Sequence, residues 1–217
     1  MRRSASALVT LMLILVVRAF AGAASLQGDV FVVDAGHGTR YPDGRPLNVG
    51  AVGPGGASEE AATLDVAERF AALLRAAGAR VEMTRSHAHP YRIATERRLD
   101  NRARAALANR LRATAFISLH ADSSTNPAAR GTSVFWLGSA SEPLARAVRE
   151  RLRSLRLGES QFHPRHLAVT EEARVPAVLV ELGFISNPEQ SHQLTSPQFQ
   201  GRLAAALLAA TLEVFGR

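Results

Sequence analysis

Three short runs constrain the fold of this chain more than any other feature. Residues 30–34 (VFVVD), 115–120 (AFISLH) and 177–182 (AVLVEL) are almost continuously apolar and rich in β-branched side chains. A strand with one wet face alternates apolar and polar residues; a strand buried on both faces does not. These runs therefore read as interior strands of a sheet covered on both sides. Between them lie stretches with helical spacing. Ser58 reads as an N-cap, and 59–77 as a helix with Leu64, Ala67, Phe70, Ala71 and Leu74 on one face, ended by Gly78. Further strands are expected at 80–84 and 132–137. Further helices are expected at 95–112, 141–156 and 197–215, and 158–174 reads as a looser segment. Strands separated by helices of this length predict βαβ units. The expectation is one α/β domain over 29–217, a mostly parallel twisted sheet flanked by helices on both faces.

Each of the three apolar runs ends in chemistry. The first enters Asp34-Ala35-Gly36-His37-Gly38, the second ends in His120-Ala121-Asp122, and the third carries Glu181. In an open parallel sheet the carboxyl ends of the strands share one edge, where ligands bind. His37, His120 and Glu181 are thus expected to converge although they are far apart in sequence. Glu59 joins them, at the start of a helix that follows a glycine-rich loop (36–56). The chain has no cysteine, so any metal must be held by His and carboxylates. Two imidazoles and one carboxylate suit a catalytic Zn²⁺ with water in the fourth position. A further carboxylate can then move the proton of that water, and Glu181 is placed for it.

Taken singly, each residue has an ordinary explanation. An acid in the first turn of a helix offsets the helix dipole, His37 can be a loop histidine, and His120 can be packed at a strand end. Glu181 is harder to dismiss, because a carboxylate inside AVLVELGF is costly to bury unless paired or metal-linked. His163 and His166 read as substrate contacts or plain surface, and His87 and His89 as surface.

All 26 basic residues are Arg, against 19 acids, a net charge of +7. The arginines lie along helical stretches such as 97–112 and 146–156 and read as solvated faces. With aromatic content at 6%, the stacking platform of single-strand nucleic-acid binders is missing, and no nucleic-acid partner is expected. The first 23 residues read as a secretory signal peptide: Arg2 and Arg3, an apolar stretch over 7–17, then Ala21-Gly22-Ala23. That stretch is short of the ~20 residues that span a bilayer, so no stable membrane insertion is expected after cleavage. Cleavage removes three basic residues and no acid, leaving +4. The mature protein is expected outside the cytoplasm, in a periplasm or at the cell wall.

At these residues the chain resembles the zinc-dependent N-acetylmuramoyl-L-alanine amidases of bacterial cell walls, in the branch called amidase type 3. The matching stretches are VVDAGHG (32–38), GAVGPGGASEE (50–60), VEMTRS (81–86), RAALAN (104–109), FISLHAD (116–122) and PAVLVELGFISNPEQ (176–190). They are collinear and span nearly all of the mature chain. The resemblance implies a mixed, mostly parallel sheet, Zn²⁺ held by His37, Glu59 and His120, and Glu181 as catalytic acid/base. Register favours Glu59 over Glu60, three positions after Gly56 and five before Leu64. The implied reaction cuts the amide between N-acetylmuramic acid and L-alanine of peptidoglycan. Glu60 stands where the family usually has Lys, Thr39 follows Gly38 where a second Gly is frequent, and Leu182 replaces a common Cys. The loop 39–49 is longer and polar. With 60 residues between His120 and Glu181, no autoinhibitory insert is expected, and neither a protein activator nor a separate wall-binding module. A monomer suffices. Two other readings stay open: an exported zinc peptidase of other specificity, and a non-catalytic wall-binding protein. A dinucleotide site is excluded by the missing G-x-G-x-x-G and the absence of a helix start after the first strand.

Overall fold

The structure, a computed structural model, describes residues 24–40, 43–87 and 97–217. The signal-peptide reading of 1–23, His89 and the first residues of the 95–112 helix lie outside them. Among the described residues there are eight strands: β1 (Val30–Ala35), β2 (Thr39–Arg40), β3 (Pro46–Asn48), β4 (Arg80–Met83), β5 (Ala115–Asp122), β6 (Thr132–Trp136), β7 (Glu159–Pro164) and β8 (Ala177–Phe184). The helices are α1 (Glu59–Ala76), α2 (Arg97–Leu111), α3 (Glu142–Arg153), α4 (Ala168–Glu172), α5 (Pro188–Leu194) and α6 (Pro197–Phe215).

Six strands form one sheet in the order β4-β1-β5-β8-β6-β7. Every neighbouring pair is parallel except β8–β6. The expected α/β architecture is therefore present, with one antiparallel joint. β2 and β3 make a separate two-stranded ribbon in what the sequence presents as a plain loop.

The interior strands alternate between two apolar layers, as their lack of polar alternation requires. Phe31, Val33, Ile117, Leu119, Val178 and Val180 face the larger core with residues of α1, α3 and α6. Val32, Phe116, Ala177, Leu179 and Phe135 face a smaller core with Ala105 and Ala108 of α2 and Val169 of α4. This second face also carries Asp34, Ser118, His120, Glu181 and Ser133, because side chains two apart on a strand share a side.

The segment 158–174 is more ordered than its sequence suggests. It forms β7 and α4. β7 is an edge strand with mostly exposed or half-buried residues, so it lacks the apolar signature of the interior strands. α5, a further short helix, begins at Asn187, whose side chain accepts from the Gln190 amide. His192 lies on that helix.

Candidate active site

Three side chains meet at the carboxyl edge of β1 and β5. His37 follows β1, Glu59 opens α1, and His120 stands near the end of β5. His37 Nε2 is 2.9 Å from Glu59 Oε1. His120 Nδ1 is 3.1 Å from His37 Nε2 and 3.3 Å from Glu59 Oε1. One ligand atom from each lies within 4.8 Å of the others, a group that could hold a metal ion. Glu59 is buried, and its carboxylate also accepts the amides of Ala51 (2.8 Å) and Ala121 (3.1 Å). Ser58 occupies the N-cap position of α1, but its hydroxyl makes no capping bond. The helix start is fixed instead through Glu59, whose amide donates to Ala51 O at 3.0 Å.

Glu181 is the neighbour of this group. Its Cα is the register partner of His120 across the parallel β5–β8 pair. Oε2 is shielded from solvent and has no hydrogen-bond partner among the described residues. Burial, then the negative charges of Glu59 and Asp122, push its pKa well above the ordinary carboxylate value, against the pull of Arg165.

A family model described as N-acetylmuramoyl-L-alanine amidase, Amidase_3, matches residues 31–213. This chain belongs to the type 3 N-acetylmuramoyl-L-alanine amidase family. A Staphylococcus epidermidis protein described as a probable cell wall amidase, LytH, is 31% identical over 164 residues, 75% of this chain and 50% of that protein. The chain thus spans half the length of that relative. N-acetylmuramoyl-L-alanine amidase AmiA of Escherichia coli is 28% identical over 234 residues, 86% of this chain and 76% of its own length. Among solved structures, N-acetylmuramoyl-L-alanine amidase AmiC2 of Nostoc punctiforme superposes with a TM-score of 0.75 at 27% identity, covering 87% of this chain and 98% of that one.

Around the His-Glu-His group the amidase fold supplies a rigid frame. His37 Nδ1 lies 2.8 Å from Asn48 Oδ1 on β3. An amide oxygen only accepts, so Nδ1 carries a proton, and Nε2 is the ring nitrogen that faces Glu59 and His120. Burial disfavours protonated His37, but the Glu59 hydrogen bond and charge, with Asn48, outweigh it and raise its pKa. Burial likewise disfavours ionised Glu59, and the two histidines outweigh that, so its carboxyl is held well below the usual range.

Two glycines leave room for the three converging side chains. A Cβ on Gly36 would sit 2.5–2.7 Å from the His120 ring. One on Gly50, at φ +76°, would meet Glu59 Oε2 at 2.6 Å and the His37 ring at 2.9 Å.

His37 itself has φ +62°, a left-handed conformation that costs a non-glycine residue on the order of 1 kcal/mol or more. Two guanidinium groups hold the main chain there. Arg104 donates to Ala35 O (2.9 Å) and His37 O (2.7 Å). Arg85 donates to Ala35 O (2.9 Å) and Gly36 O (2.8 Å). Arg104, only 1% exposed, also pairs with Asp34 at 2.8 Å. Asp34 is fully buried and accepts Thr84 Oγ1 and Ser118 Oγ, each at 2.6 Å. Burial opposes its ionisation, but Arg104, Ser118 and Thr84, with His120, bring its pKa down to about 2.

The expectation that the arginines of 97–112 form a solvated face is therefore wrong for Arg104. A signal for it exists: Arg104 adjoins Ala105 and precedes Ala108 by one helical turn, and both alanines are fully buried. A charge on the apolar stripe of a helix needs a buried partner. His87 is exposed, as expected, and bonds Glu68 at 2.8 Å. His163 and His166 are exposed and lie outside the His-Glu-His group.

Proposed function

We propose that the chain is a zinc-dependent N-acetylmuramoyl-L-alanine amidase that releases stem peptides from peptidoglycan. The observation that carries this is the convergence of His37 Nε2, Glu59 Oε1 and His120 Nδ1, with Glu181 on the adjacent strand, in a chain of the amidase family. Two neutral imidazoles and one carboxylate are the donor set of a catalytic zinc site with an open position, so the residues fit the metal. When bound, zinc supplies Lewis acidity and lowers the pKa of water to about 7.

The remaining roles fall to the chain. Asn48 fixes the His37 tautomer. Arg85 and Arg104 fix the backbone that aims the ring. Glu181 receives the proton of the attacking water and delivers it to the L-alanine nitrogen as the amide bond breaks. The orphaned Oε2 supports this role, since an unpaired buried carboxylate oxygen is costly to keep and is free to hold a proton. The amine departs neutral with that proton, and the lactyl carboxylic acid that forms gives up its remaining proton to Glu181 and on to solvent, leaving a carboxylate.

Within this reading 1–23 directs export, the domain over 29–217 is the catalytic unit, and the protein works in a periplasm or cell wall. Among the described residues no helix is long and apolar enough to cross a membrane. The domain acts as a monomer without a protein activator. In support, α3 and α4, which lie between His120 and Glu181 in sequence, pack on the sheet or on neighbouring helices.

The test is digestion of intact sacculi with and without a chelator, with products read by mass spectrometry. Stem peptides that begin at L-alanine, lost with chelator and restored by zinc, are expected. Cuts inside the peptide would move the protein to the peptidase reading. Zinc binding and sacculus binding without any product would move it to the wall-binding one.

A further inference from the structure

The face that carries His120 and Glu181 continues past them toward the edge of the sheet. Glu181 on β8 is opposite Ser133 on β6, and Ser133 is opposite Gln161 on β7. The next row down is Leu179, Phe135 and His163. Phe135 is almost fully buried. Its ring is covered by two residues from the end of β7: the edge-on ring of His163, 5.2 Å between centroids, and the guanidinium of Arg165, 5.0 Å from the ring centre.

Arg165 is held at both ends of its peptide unit. Its amide donates to Trp136 O at 2.9 Å, and its carbonyl accepts Thr170 Oγ1 at 3.0 Å. The side chain is exposed. Among the described residues it has no carboxylate partner, and nearby Glu171 is engaged by His166 at 3.0 Å. An arginine stacked on a ring is pre-organised and keeps its donors free for a planar anion.

Resting on the amidase reading above, we propose that Arg165 is a specificity-determining residue that takes a carboxylate of the departing stem peptide. The two halves of the substrate differ in charge. The muramic acid spends its carboxyl group in the scissile amide, so the sugar side brings no anion to the site. The stem peptide carries free carboxylates from its acidic residues. On the sheet face that carries Glu181, Arg165, stacked over Phe135, presents an exposed cation to receive such a group.

The experiment uses the full zinc-loaded chain and two substrates that differ by one charge: N-acetylmuramoyl-L-alanyl-D-glutamate and the corresponding D-isoglutamine compound. The ratio of their kcat/KM values is measured at low salt for wild type, R165K, R165Q and R165E. Wild type should favour the charged substrate about two- to fivefold, the scale of an exposed ion pair. R165K should keep the sign of that preference but lose part of it, because Lys lacks the stacked planar fork; R165Q should bring the ratio near one, and R165E should invert it. If wild type turns over only polymer, the same ratio is read on sacculi whose D-glutamate α-carboxyls are free or amidated. An equal ratio in wild type and R165Q, with cleavage intact, overturns the subsite and leaves the amidase reading standing. Absence of cleavage of every substrate by wild type overturns both.

Discussion

His120 and Glu181 are register partners on adjacent parallel strands, so one of the three converging donors and the proposed proton carrier are fixed relative to each other by backbone hydrogen bonds. Their roles nevertheless separate in mutants. Glu181→Gln should retain zinc at full stoichiometry and lose about 10²–10⁴-fold in turnover, the usual worth of a positioned acid/base. His120→Ala should lose zinc and turnover together. Metal content by mass spectrometry beside sacculus digestion checks both; equal zinc and equal activity in the two variants would sink the assignment.

Asn48 tests the outer support of the site. Its oxygen is the partner of His37 Nδ1, so Asn48→Ala frees the tautomer and the ring orientation. A loss of about 10–100-fold in zinc affinity is expected, the typical effect of removing such a partner. Competition with a chromophoric chelator measures it. Unchanged affinity would mean that the ring is held by packing alone.

Gly36 tests the close approach of backbone and ligand. The Cβ of Gly36→Ala would lie 2.5–2.7 Å from the His120 ring, well inside van der Waals contact, and β1 cannot retreat because its other face packs in the core. The ring must move. Zinc affinity should fall sharply while far-UV circular dichroism stays native. A variant with wild-type zinc affinity would show that the ring has room that the structure does not suggest.

Asp34 gives the protein a pH-dependent stability. Its pKa, about 2 when folded, lies below its value of 3.8 in an ordinary setting. The unfolded chain therefore binds the proton more readily, and stability rises with pH in that window. The contribution, about 2 kcal/mol, is complete above about pH 4 and is lost as pH falls toward 2. Urea unfolding of metal-free protein between pH 2 and 5 should show that slope. Asp34→Asn should flatten it and cost about 3–5 kcal/mol at neutral pH, because Arg104 then stays buried without a counter-charge. A slope equal to that of wild type would assign the acid sensitivity elsewhere.

The strands that build the site are legible because burial on both faces removes polar alternation, and 30–34, 115–120 and 177–182 show this plainly. Their ends then bring His37, His120 and Glu181 to one edge. The edge strand β7 and the short helix α4 are not legible, since neither needs an apolar run. The antiparallel direction of β6 is also hidden, because strand sense leaves no mark on composition. The frame of Asp34, Arg85 and Arg104 escapes for another reason. Long guanidinium side chains cross between elements, so although Arg104 falls on the apolar stripe of its helix, the partners of these arginines lie about 50 and 70 positions away, and local periodicity cannot name them.

The antiparallel joint between β8 and β6 has a consequence for how such a domain changes over time. β5 finishes at the edge where the donors meet, and β6, running the other way, starts at that same edge. The connector 123–131 therefore never crosses the sheet. Its length can vary without moving a helix crossing or a strand register, at the slow entropic cost of a longer surface loop. Access to the edge where the donors meet and the integrity of the core are thus separable traits, open to selection one at a time.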